Sequence, residues 1–429
     1  MRDKDTQRRL CRSHLGAGSS QTRAKQSGAL FRTPASDILT ATLHLTKCER
    51  QMESEVFQPK KRSALDACYQ AQKLAFAPVL FKCLVELVKT GLLEEIERSE
   101  PNGLSPVEAA QKSRLSEYAC QVLMETALSA EVLVLEEGRY RMSDVGYFFL
   151  RDKMTLANLN FVNDVCYRPL DHLGASLKAE KPEGLKEFGS WKTVYEGLAH
   201  LPPAVQKSWF EFDHYYSDSA FHEALPFVFD RRVSNLADFG GNTGKWAEQC
   251  LNHNPEVKIT IVDLPGQALK AKERLESHLE KDRVSLHHFD FLAGDSDSLL
   301  KDNRHKFDAV WMSQFLVCFS EPEIVKILKL ARTCLAPGGR IMILDTYWDI
   351  QKYDIAAFCL INTSPYFTTV ANGNSKMFSL KELKKYCSLA ELEIEVVCAH
   401  LGRAHSLISC TPAKRAALVS PQNQGNISQ

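Results

Sequence analysis

The sequence lacks the features that mark several classes of protein. Its 13 cysteines form no CxxC or CxxxxC pair, which argues against a zinc site and against a disulfide framework. Lys plus Arg and Asp plus Glu both total 53, so no excess of positive charge predicts nucleic-acid binding. No apolar run reaches the ~20 residues that a membrane span needs. We therefore expect a metal-free, cytoplasmic protein that binds neither nucleic acid nor membrane.

Composition and patterning divide the chain into five predicted segments. The first is polar and rich in arginine, which is typical of a mitochondrial targeting segment, but Asp3 and Asp5 oppose that interpretation. We expect instead a disordered or non-native extension ahead of a start at Met52. The predicted segments are this extension (1–52), a dimerisation domain (53–150), linker helices that contribute to a substrate pocket (151–230), a cofactor-binding domain (231–412) and a disordered tail (413–429).

The second segment has the pattern of a winged helix-turn-helix. Ser105, Pro106 and Glu108 form the signature of a capping box with proline at the first helical position. Ser116 is placed to cap the next helix, and "VLVLEEGRYRMS" alternates as two short strands about Gly138. Such a fold can bind DNA, but the second helix, "SEYACQVLMETALSA", has two Glu and no Lys or Arg to neutralise phosphates. The pattern therefore favours packing or dimerisation.

Residues 231–410 alternate between strand and helix patterns, as in repeated βαβ units. This order predicts a doubly wound, Rossmann-like α/β sheet, mostly parallel, with an antiparallel element at its C-terminal end. Ligands of such sheets bind at the carboxyl ends of the strands. The predicted strands are "VSNLADFG", "VKITIVDL", "VSLHHFDF", "FDAVWMSQF", "GRIMILDTYW", "LEIEVVCAH" and "AHSLISC".

The first three of these strands end in carboxylates. Asp238 precedes a turn with Gly240, Gly241 and Gly244, whose spacing differs from the G-x-G-x-x-G of dinucleotide enzymes. Asp263 follows about twenty residues later, where an acidic side chain can pair with a ribose diol. Asp290, beside Phe291, can accept from an exocyclic amine while the ring packs on a purine. No Lys or Arg in the turn predicts a phosphate site, so the pattern favours an adenosine ligand without a pyrophosphate.

The ordered motifs "LADFGGNTG", "VDLPG", "HFDF" and "LAPGGRIMILD" resemble those of class I S-adenosylmethionine-dependent methyltransferases. The chain is most similar to the O-methyltransferase group that includes caffeate-type and acetylserotonin O-methyltransferases, over roughly residues 60–412. The resemblance implies an intertwined homodimer and S-adenosylmethionine as cofactor. The candidate cofactor-binding residues are Asp238, Gly240, Gly241, Gly244, Asp263, Leu264, Asp290, Phe291, Ser313 and Gln314, with Tyr216 covering the cofactor from the linker.

The resemblance fails at the position of the proton acceptor. In this group the fourth strand leads into His-Asp-Trp, whose His deprotonates the acceptor, whereas this chain has Val317, Cys318 and Phe319. Either the acceptor needs little deprotonation, or another group such as His172, His214, His222 or Cys318 acts, or the protein does not methylate oxygen. The catalytic residue therefore stays unknown at this point.

The region around residues 347–379 is expected to line the acceptor pocket with aromatic side chains. Trp348, Phe358, Tyr366 and Phe367 indicate a flat or apolar acceptor, and no cluster of basic residues indicates a polyanion. We expect methyl transfer to a small organic acceptor, at a hydroxyl oxygen. The alternatives are a cofactor-retaining relative of decarboxylase or hydroxylase type and a winged-helix regulatory or dimer protein.

Overall fold

The computed structural model describes residues 56–276 and 283–414, all within one compact unit. The side chains of residues 216–219 lie outside this description. The extension predicted over 1–52 and nearly all of the tail predicted over 413–429 also lie outside the described residues.

The N-terminal part is helical and contains one β-hairpin. Ser63 caps the long helix α1, and the capping box predicted at Ser105 is present at the start of α3, with Glu108 accepting from both the backbone N and Oγ of Ser105. Ser116 caps α4 as predicted. The elements are α1 (Ala64–Lys89), α2 (Leu92–Arg98), α3 (Pro106–Lys112), α4 (Glu117–Ser129) and the antiparallel pair β1 (Leu133–Glu136) and β2 (Arg139–Met142).

These elements enclose a small core of their own. Leu87, Leu93, Ile96, Met124 and Leu133 are all inaccessible to solvent or nearly so, and they belong to one apolar cluster. Because α1 to α4 and the hairpin all contribute to this cluster, they form one packed module, as the sequence pattern predicted.

Helices of different lengths connect this module to the sheet. They are α5 (Asp144–Arg151), α6 (Lys153–Asn160), α7 (Leu173–Ala179), α8 (Val194–Gly197) and the long α9 (Pro203–Val228). The Oη of Tyr167 donates to the backbone carbonyl of Pro78 in α1, at 3.2 Å, so the connecting region contacts the N-terminal module directly.

The remainder is a seven-stranded sheet with helices between the strands. The strand order is β5-β4-β3-β6-β7-β9-β8, with β9 antiparallel to both of its neighbours and the first five strands parallel. The elements are β3 (Asn235–Phe239), α10 (Lys245–His253), β4 (Lys258–Asp263), α11 (Pro265–Glu276), β5 (Val284–His288), α12 (Ser296–Asn303), β6 (Phe307–Ser313), α13 (Glu321–Cys334), β7 (Leu335–Thr346), α14 (Asp354–Tyr366), α15 (Leu380–Leu389), β8 (Leu392–Leu401) and β9 (His405–Pro412).

The central strands are buried on both faces. In β6, Val310 and Met312 point into one apolar cluster, whereas Trp311 points into the other. This alternation is the expected consequence of covering both faces of a parallel sheet with helices. The doubly wound α/β prediction is therefore confirmed, and β7 begins four residues earlier than predicted because Leu335 already pairs with Phe307.

Candidate functional site

A deep cavity opens at the carboxyl ends of the parallel strands. Gly244 does not line it but lies at the start of α10, with φ +75°, where an added Cβ would meet Leu275 at 3.1 Å. Tyr216 belongs to α9, but its side chain lies outside the described residues. The other predicted cofactor-binding residues all line the cavity, namely Asp238, Gly240, Gly241, Asp263, Leu264, Asp290, Phe291, Ser313 and Gln314.

The turn after β3 brings its backbone close to the cavity. Gly240 has φ +74°, and its N–H donates to the carbonyl of Val262 at 2.9 Å. A Cβ on Gly240 would overlap the ring of Phe315, and one on Gly241 would lie 2.7 Å from Oδ2 of Asp238. Because neither position has room for a side chain, the turn needs glycine at both.

The carboxylate of Asp263 is held at the end of β4 by two backbone donors. Its Oδ2 accepts from the N of Asn242 at 2.8 Å, and its Oδ1 accepts from the N of Leu264 at 2.7 Å. Burial raises the pKa of Asp263, and the two backbone donors oppose that shift by favouring the ionised form. Each oxygen keeps a second lone pair that could accept from a diol in the cavity.

Asp238 is buried without a partner for one of its oxygens. It is 2% exposed, and its Oδ2 has no hydrogen-bond partner among the described residues. Burial, with a further contribution from Asp263, raises the pKa of Asp238 to about 8. A buried carboxyl oxygen that lacks a donor and lines a cavity is suited to a cationic or hydrogen-bond-donating ligand.

Beyond β5, aromatic rings form one wall of the same cavity. Phe291 packs at ring-centroid distances of 5.0 Å from Phe239 and 4.9 Å from Phe315. Asp290 accepts at Oδ1 from the N of Leu292 at 2.8 Å, which closes a tight turn beside that ring. The structure therefore provides the apolar wall and the adjacent carboxylate that a purine at these two side chains would need.

The turn after β6 contains no imidazole, and the substitute bases predicted for it separate into two groups. His222 is exposed and does not line the cavity, and His172 pairs instead with Glu187 at 2.9 Å. His214 and Cys318 do line the cavity. Burial raises the pKa of the Cys318 thiol to about 12, so Cys318 is protonated at neutral pH.

The opposite wall is aromatic and comes from the connecting helices and α14. Phe161 stacks on Phe212 at 3.9 Å between ring centroids, and Nε1 of Trp209 donates to Oη of Tyr366 at 2.7 Å. Tyr366 and Phe367 line the cavity as predicted. The prediction was wrong for Phe358 and Trp348, the other two aromatic residues of the predicted pocket. Phe358 is 58% exposed on α14, and Trp348 packs against the core but does not line the cavity.

One cavity residue was not identified from the sequence. Asp345, at the end of β7, is 1% exposed, and its Oδ1 accepts from the N of Thr346 at 2.8 Å. Its Oδ2 is buried without a partner among the described residues. Burial raises the pKa of Asp345 to about 7, against the backbone N–H groups of Thr346 and Val317. Its motif "ILD" ends a strand in a carboxylate, as the other three strands do, and this was the signal by which the sequence could have identified it.

Gln314 is fixed from behind by a buried histidine. Its Nε2 lies 2.8 Å from Nε2 of His405, which is inaccessible to solvent, and Gln314 adopts φ +47°. Burial lowers the pKa of His405 to about 4, so the ring is neutral and can accept from the amide. The arrangement directs the other amide atom of Gln314 away from His405.

Membrane-spanning helices and metal-ligand clusters are both absent from the described residues. No described helix combines the length and the apolar character that crossing a membrane requires. Within the same residues, no group of three or more His, Cys, Asp or Glu side chains is placed to hold a metal ion.

The strand order, with an antiparallel β9 between β7 and β8, belongs to a sheet of the methyltransferase fold. Two protein families match the chain: a Dimerisation2-like domain over residues 69–140 and a methyltransferase domain over residues 237–341. The chain is an S-adenosylmethionine-dependent methyltransferase of O-methyltransferase-like type, and S-adenosylmethionine is its cofactor.

Similar proteins methylate both oxygen and carbon. L-tyrosine C(3)-methyltransferase of Streptomyces lavendulae is 22% identical, covering 64% of this chain and 73% of the relative. Human acetylserotonin O-methyltransferase is 23% identical over 59% of this chain and 72% of its own length. Among solved structures, the S-adenosylmethionine-dependent methyltransferase SibL in its apo form has a TM-score of 0.59 at 21% identity, covering 80% of this chain and 98% of that one.

Proposed function

We propose that the protein transfers a methyl group from S-adenosylmethionine to a hydroxyl oxygen of a small, flat aromatic acceptor. The observation that carries this proposal is the single cavity that joins the glycine turn and strand-end carboxylates to a wall of aromatic side chains. A donor and an acceptor bound in one cavity would meet without a diffusive step, which is how an orienting site accelerates a two-substrate reaction.

The residues on the β3–β5 side fit the cofactor. Asp263 would accept from the ribose hydroxyls, and Asp290 with Phe291 would hold the adenine. The partnerless Oδ2 of Asp238 supports a cationic ligand, and the turn at Gly240 and Gly241, which carries no side chains, places backbone at the cavity. The bound cofactor supplies an activated methyl group on a sulfonium sulfur.

The residues on the other side fit an aromatic acceptor. Phe161, Phe212 and Tyr366 form a compact group of rings, with Phe161 and Tyr366 in an edge-on contact at 5.0 Å. Such walls favour flat ligands by burying apolar area and by ring stacking. Among the described residues that line the cavity, the basic side chains are Lys245 and His214, which disfavours a polyanionic acceptor.

Carbon is the second candidate for the methylated atom. Two relatives are called L-tyrosine C(3)-methyltransferase and bacteriochlorophyllide d C-20 methyltransferase, the latter from Chlorobaculum tepidum and 22% identical. A phenol in the same cavity also presents the ring carbon next to its hydroxyl group to the methyl donor. Deprotonating the phenol activates both the oxygen and that carbon. Nuclear magnetic resonance of the methylated product distinguishes a methoxy group from a ring methyl group.

We also infer that the protein acts as a homodimer formed through its N-terminal module. The Dimerisation2-like match covers residues 69–140, and α1 presents exposed apolar side chains between Leu65 and Val79. These are Leu65 (81% exposed), Tyr69 (50%), Leu74 (77%), Phe76 (58%) and Val79 (55%).

Calorimetry with S-adenosylhomocysteine tests the cofactor site. We expect Asp263→Ala to weaken binding about 10- to 100-fold, because each hydrogen bond to a charged group contributes roughly 1.5–3 kcal/mol. The matched control is Asp295→Ala, which removes a carboxylate that caps α12 outside the cavity. No binding by the wild-type protein, or equal binding by Asp263→Ala, would contradict the assigned site.

Methyl transfer itself is measured with S-adenosylmethionine and a panel of phenols, followed by mass spectrometry. We expect a gain of one methyl group on a flat phenol and none on aliphatic alcohols. A wild-type protein that binds S-adenosylhomocysteine but methylates no phenol would contradict the proposed acceptor class while leaving the cofactor site intact.

A further inference from the structure

The turn after β6 lacks the histidine expected of a proton acceptor, but a carboxyl group on the neighbouring strand lies against that turn. We propose that Asp345 is the catalytic base that takes the proton from the acceptor's hydroxyl group. This inference rests on the hydroxyl methylation proposed above, and it identifies the group that the Val317 position does not supply.

The geometry leaves one oxygen of Asp345 available. Its Oδ1 accepts from the N of Thr346 at 2.8 Å, and the backbone N–H of Val317 also favours the ionised carboxylate. Its Oδ2 is buried, and no hydrogen bond to it is formed among the described residues. An unsatisfied buried carboxyl oxygen is costly, so a native structure that retains one needs a reason. Asp345 lines the cavity together with Val317 and Cys318, and a bound hydroxyl would supply the missing donor.

The surroundings of Asp345 allow it to gain and lose a proton near neutral pH. Titratable groups close enough to Asp345 to feel its charge include the Cys318 thiol from the turn after β6 and the Tyr347 hydroxyl just past the end of β7. Both are uncharged, because burial raises their pKa values. His405, on the adjacent β9, is neutral, since burial lowers its pKa. Burial therefore dominates and raises the pKa of Asp345 to about 7, a range suited to general-base catalysis.

Other candidates for the base fit less well. The Cys318 thiol is protonated, with a pKa of about 12, and would have to lose its own proton first. Asp238 lies under the glycine turn, where a Cβ on Gly241 would come within 2.7 Å of its Oδ2, so it faces the cofactor side. Asp345 instead is one of the last two residues of β7, directly after Leu344, which pairs with Ser313 at the end of β6, next to the turn that holds Val317.

The proposed step balances with the groups present. The acceptor's O–H bond breaks and its proton passes to Oδ2 of Asp345. The acceptor oxygen forms a bond to the methyl carbon of the sulfonium donor as the carbon–sulfur bond breaks, and that bond's electron pair stays on sulfur. The protonated Asp345 then returns its proton to solvent when product leaves.

The decisive variant is Asp345→Asn, which keeps the volume and the Oδ1 acceptor but cannot take a proton. We expect S-adenosylhomocysteine to bind with a dissociation constant within threefold of wild type, and kcat on a phenol to fall by on the order of 10²–10⁴. The wild-type rate should rise with pH through about 7, and the variant should lose that limb. Asp349→Asn is the control, because Asp349 accepts from the N of Leu380 at 2.7 Å and does not line the cavity.

A second measurement detects transfer of the proton in the absence of methylation. 4-Nitrophenol absorbs near 400 nm only when ionised, so its spectrum when bound to the S-adenosylhomocysteine complex reports whether the cavity accepts its proton. We expect a larger ionised fraction on wild type than on Asp345→Asn between pH 6 and 8. The loss of kcat should also be smaller for acidic phenols, which need less help from a base; a residue that only shapes the cavity would not show this dependence.

Each outcome separates the base from the proposed reaction. Wild-type protein that methylates no phenol would overturn the proposed function and the role of Asp345 with it. Active wild type together with Asp345→Asn within threefold of its kcat, or with the same ionisation of bound nitrophenol, would overturn only the base. An Asp345→Asn protein that loses S-adenosylhomocysteine affinity along with activity would show a structural role and overturn the base as well.

Discussion

At the scale of single residues, the close packing of the glycine turn determines how near a ligand can come to the sheet. Gly240 combines φ +74° with a direction in which a Cβ would overlap Phe315, and Phe315 in turn contacts Phe291 at 4.9 Å between ring centroids. A change at Gly240 would therefore reach the wall on which we place the adenine ring.

We predict that Gly240→Ala weakens S-adenosylhomocysteine binding at least tenfold, measured by calorimetry, because the new methyl group must displace Phe315. The control is Gly338→Ala: Gly338 has φ +78°, but a Cβ there meets nothing within 4 Å. Both variants carry the backbone strain of a positive φ, about 1 kcal/mol or more. Equal affinity in the two variants would mean that the approach of the turn to Phe315 does not matter for binding.

Residue identity and residue placement differ in how far the sequence reveals them. Asp238, Asp263 and Asp290 were predicted because a strand-end carboxylate follows from the strand pattern alone. Asp345 has the same local signal, but only packing shows that its Oδ2 is buried without a partner. Local pattern cannot report a missing donor, since that depends on every element that surrounds the group.

At the scale of elements, the helices illustrate the same limit. His214 and His222 are eight residues apart on α9, a rotation of roughly 80° at 3.6 residues per turn, and only the first lines the cavity. Phe358 and Tyr366 are likewise eight apart on α14, with one exposed and the other lining the cavity. The sequence predicted the helices and the sheet, but the face turned to the cavity is chosen by tertiary packing.

Capping boxes, by contrast, are local, and the box at Ser105 was predicted from the sequence; two more are present in the structure. Glu323 at the start of α13 accepts from the backbone N of Ser320 at 2.7 Å and from its Oγ at 2.6 Å. Glu382 at the start of α15 does the same with Ser379, at 2.8 and 2.9 Å. The first box adjoins the cavity: the residue just before Ser320 is Phe319, which lines it.

We predict that Glu323→Ala and Glu382→Ala each lower the free energy of unfolding by about 1 kcal/mol, measured with denaturant. Only Glu323→Ala should also raise KM for the phenol, by a few fold, because fraying of α13 loosens the turn that carries Val317 and Phe319. If both variants changed KM equally, the cap of α13 would not be what positions that turn.

At the scale of the whole molecule, the exposed apolar side chains of α1 bear on assembly. We predict that the wild-type protein has about twice the mass of its 48.3 kDa chain in light scattering, and that Phe76→Glu shifts it toward the monomer. Burying a glutamate charge in an apolar interface without a partner is unfavourable.

Phe358→Glu is the control for assembly, since Phe358 is also 58% exposed but lies on α14, outside the Dimerisation2-like match. A monomeric wild-type protein, or a Phe76→Glu protein that stays dimeric, would contradict an interface on α1.

The two buried carboxyl groups also make the stability of the whole chain depend on pH. The folded-state pKa values of Asp238, about 8, and Asp345, about 7, lie above the value of ~3.9 expected for an unfolded chain. Between those values the native protein holds more protons than the unfolded protein, so the free energy of unfolding falls as pH rises. His405 acts in the opposite sense below about pH 6.5, because burial lowers its pKa to about 4 and the native ring stays neutral.

Between pH 6.5 and 8 the carboxyl groups should therefore dominate, because Asp238 holds its proton in the native protein up to about pH 8. We predict that the ligand-free protein loses stability across this window in urea titrations, by up to about 1.4 kcal/mol per pH unit for each carboxyl group that is protonated only in the native state. The double variant Asp238→Asn/Asp345→Asn should show a much flatter profile, whereas Asp295→Asn, which changes an exposed helix cap, should keep the wild-type slope. Wild-type stability that rises with pH here, or an unchanged slope in the double variant, would mean that these carboxyl groups are ionised in the native protein.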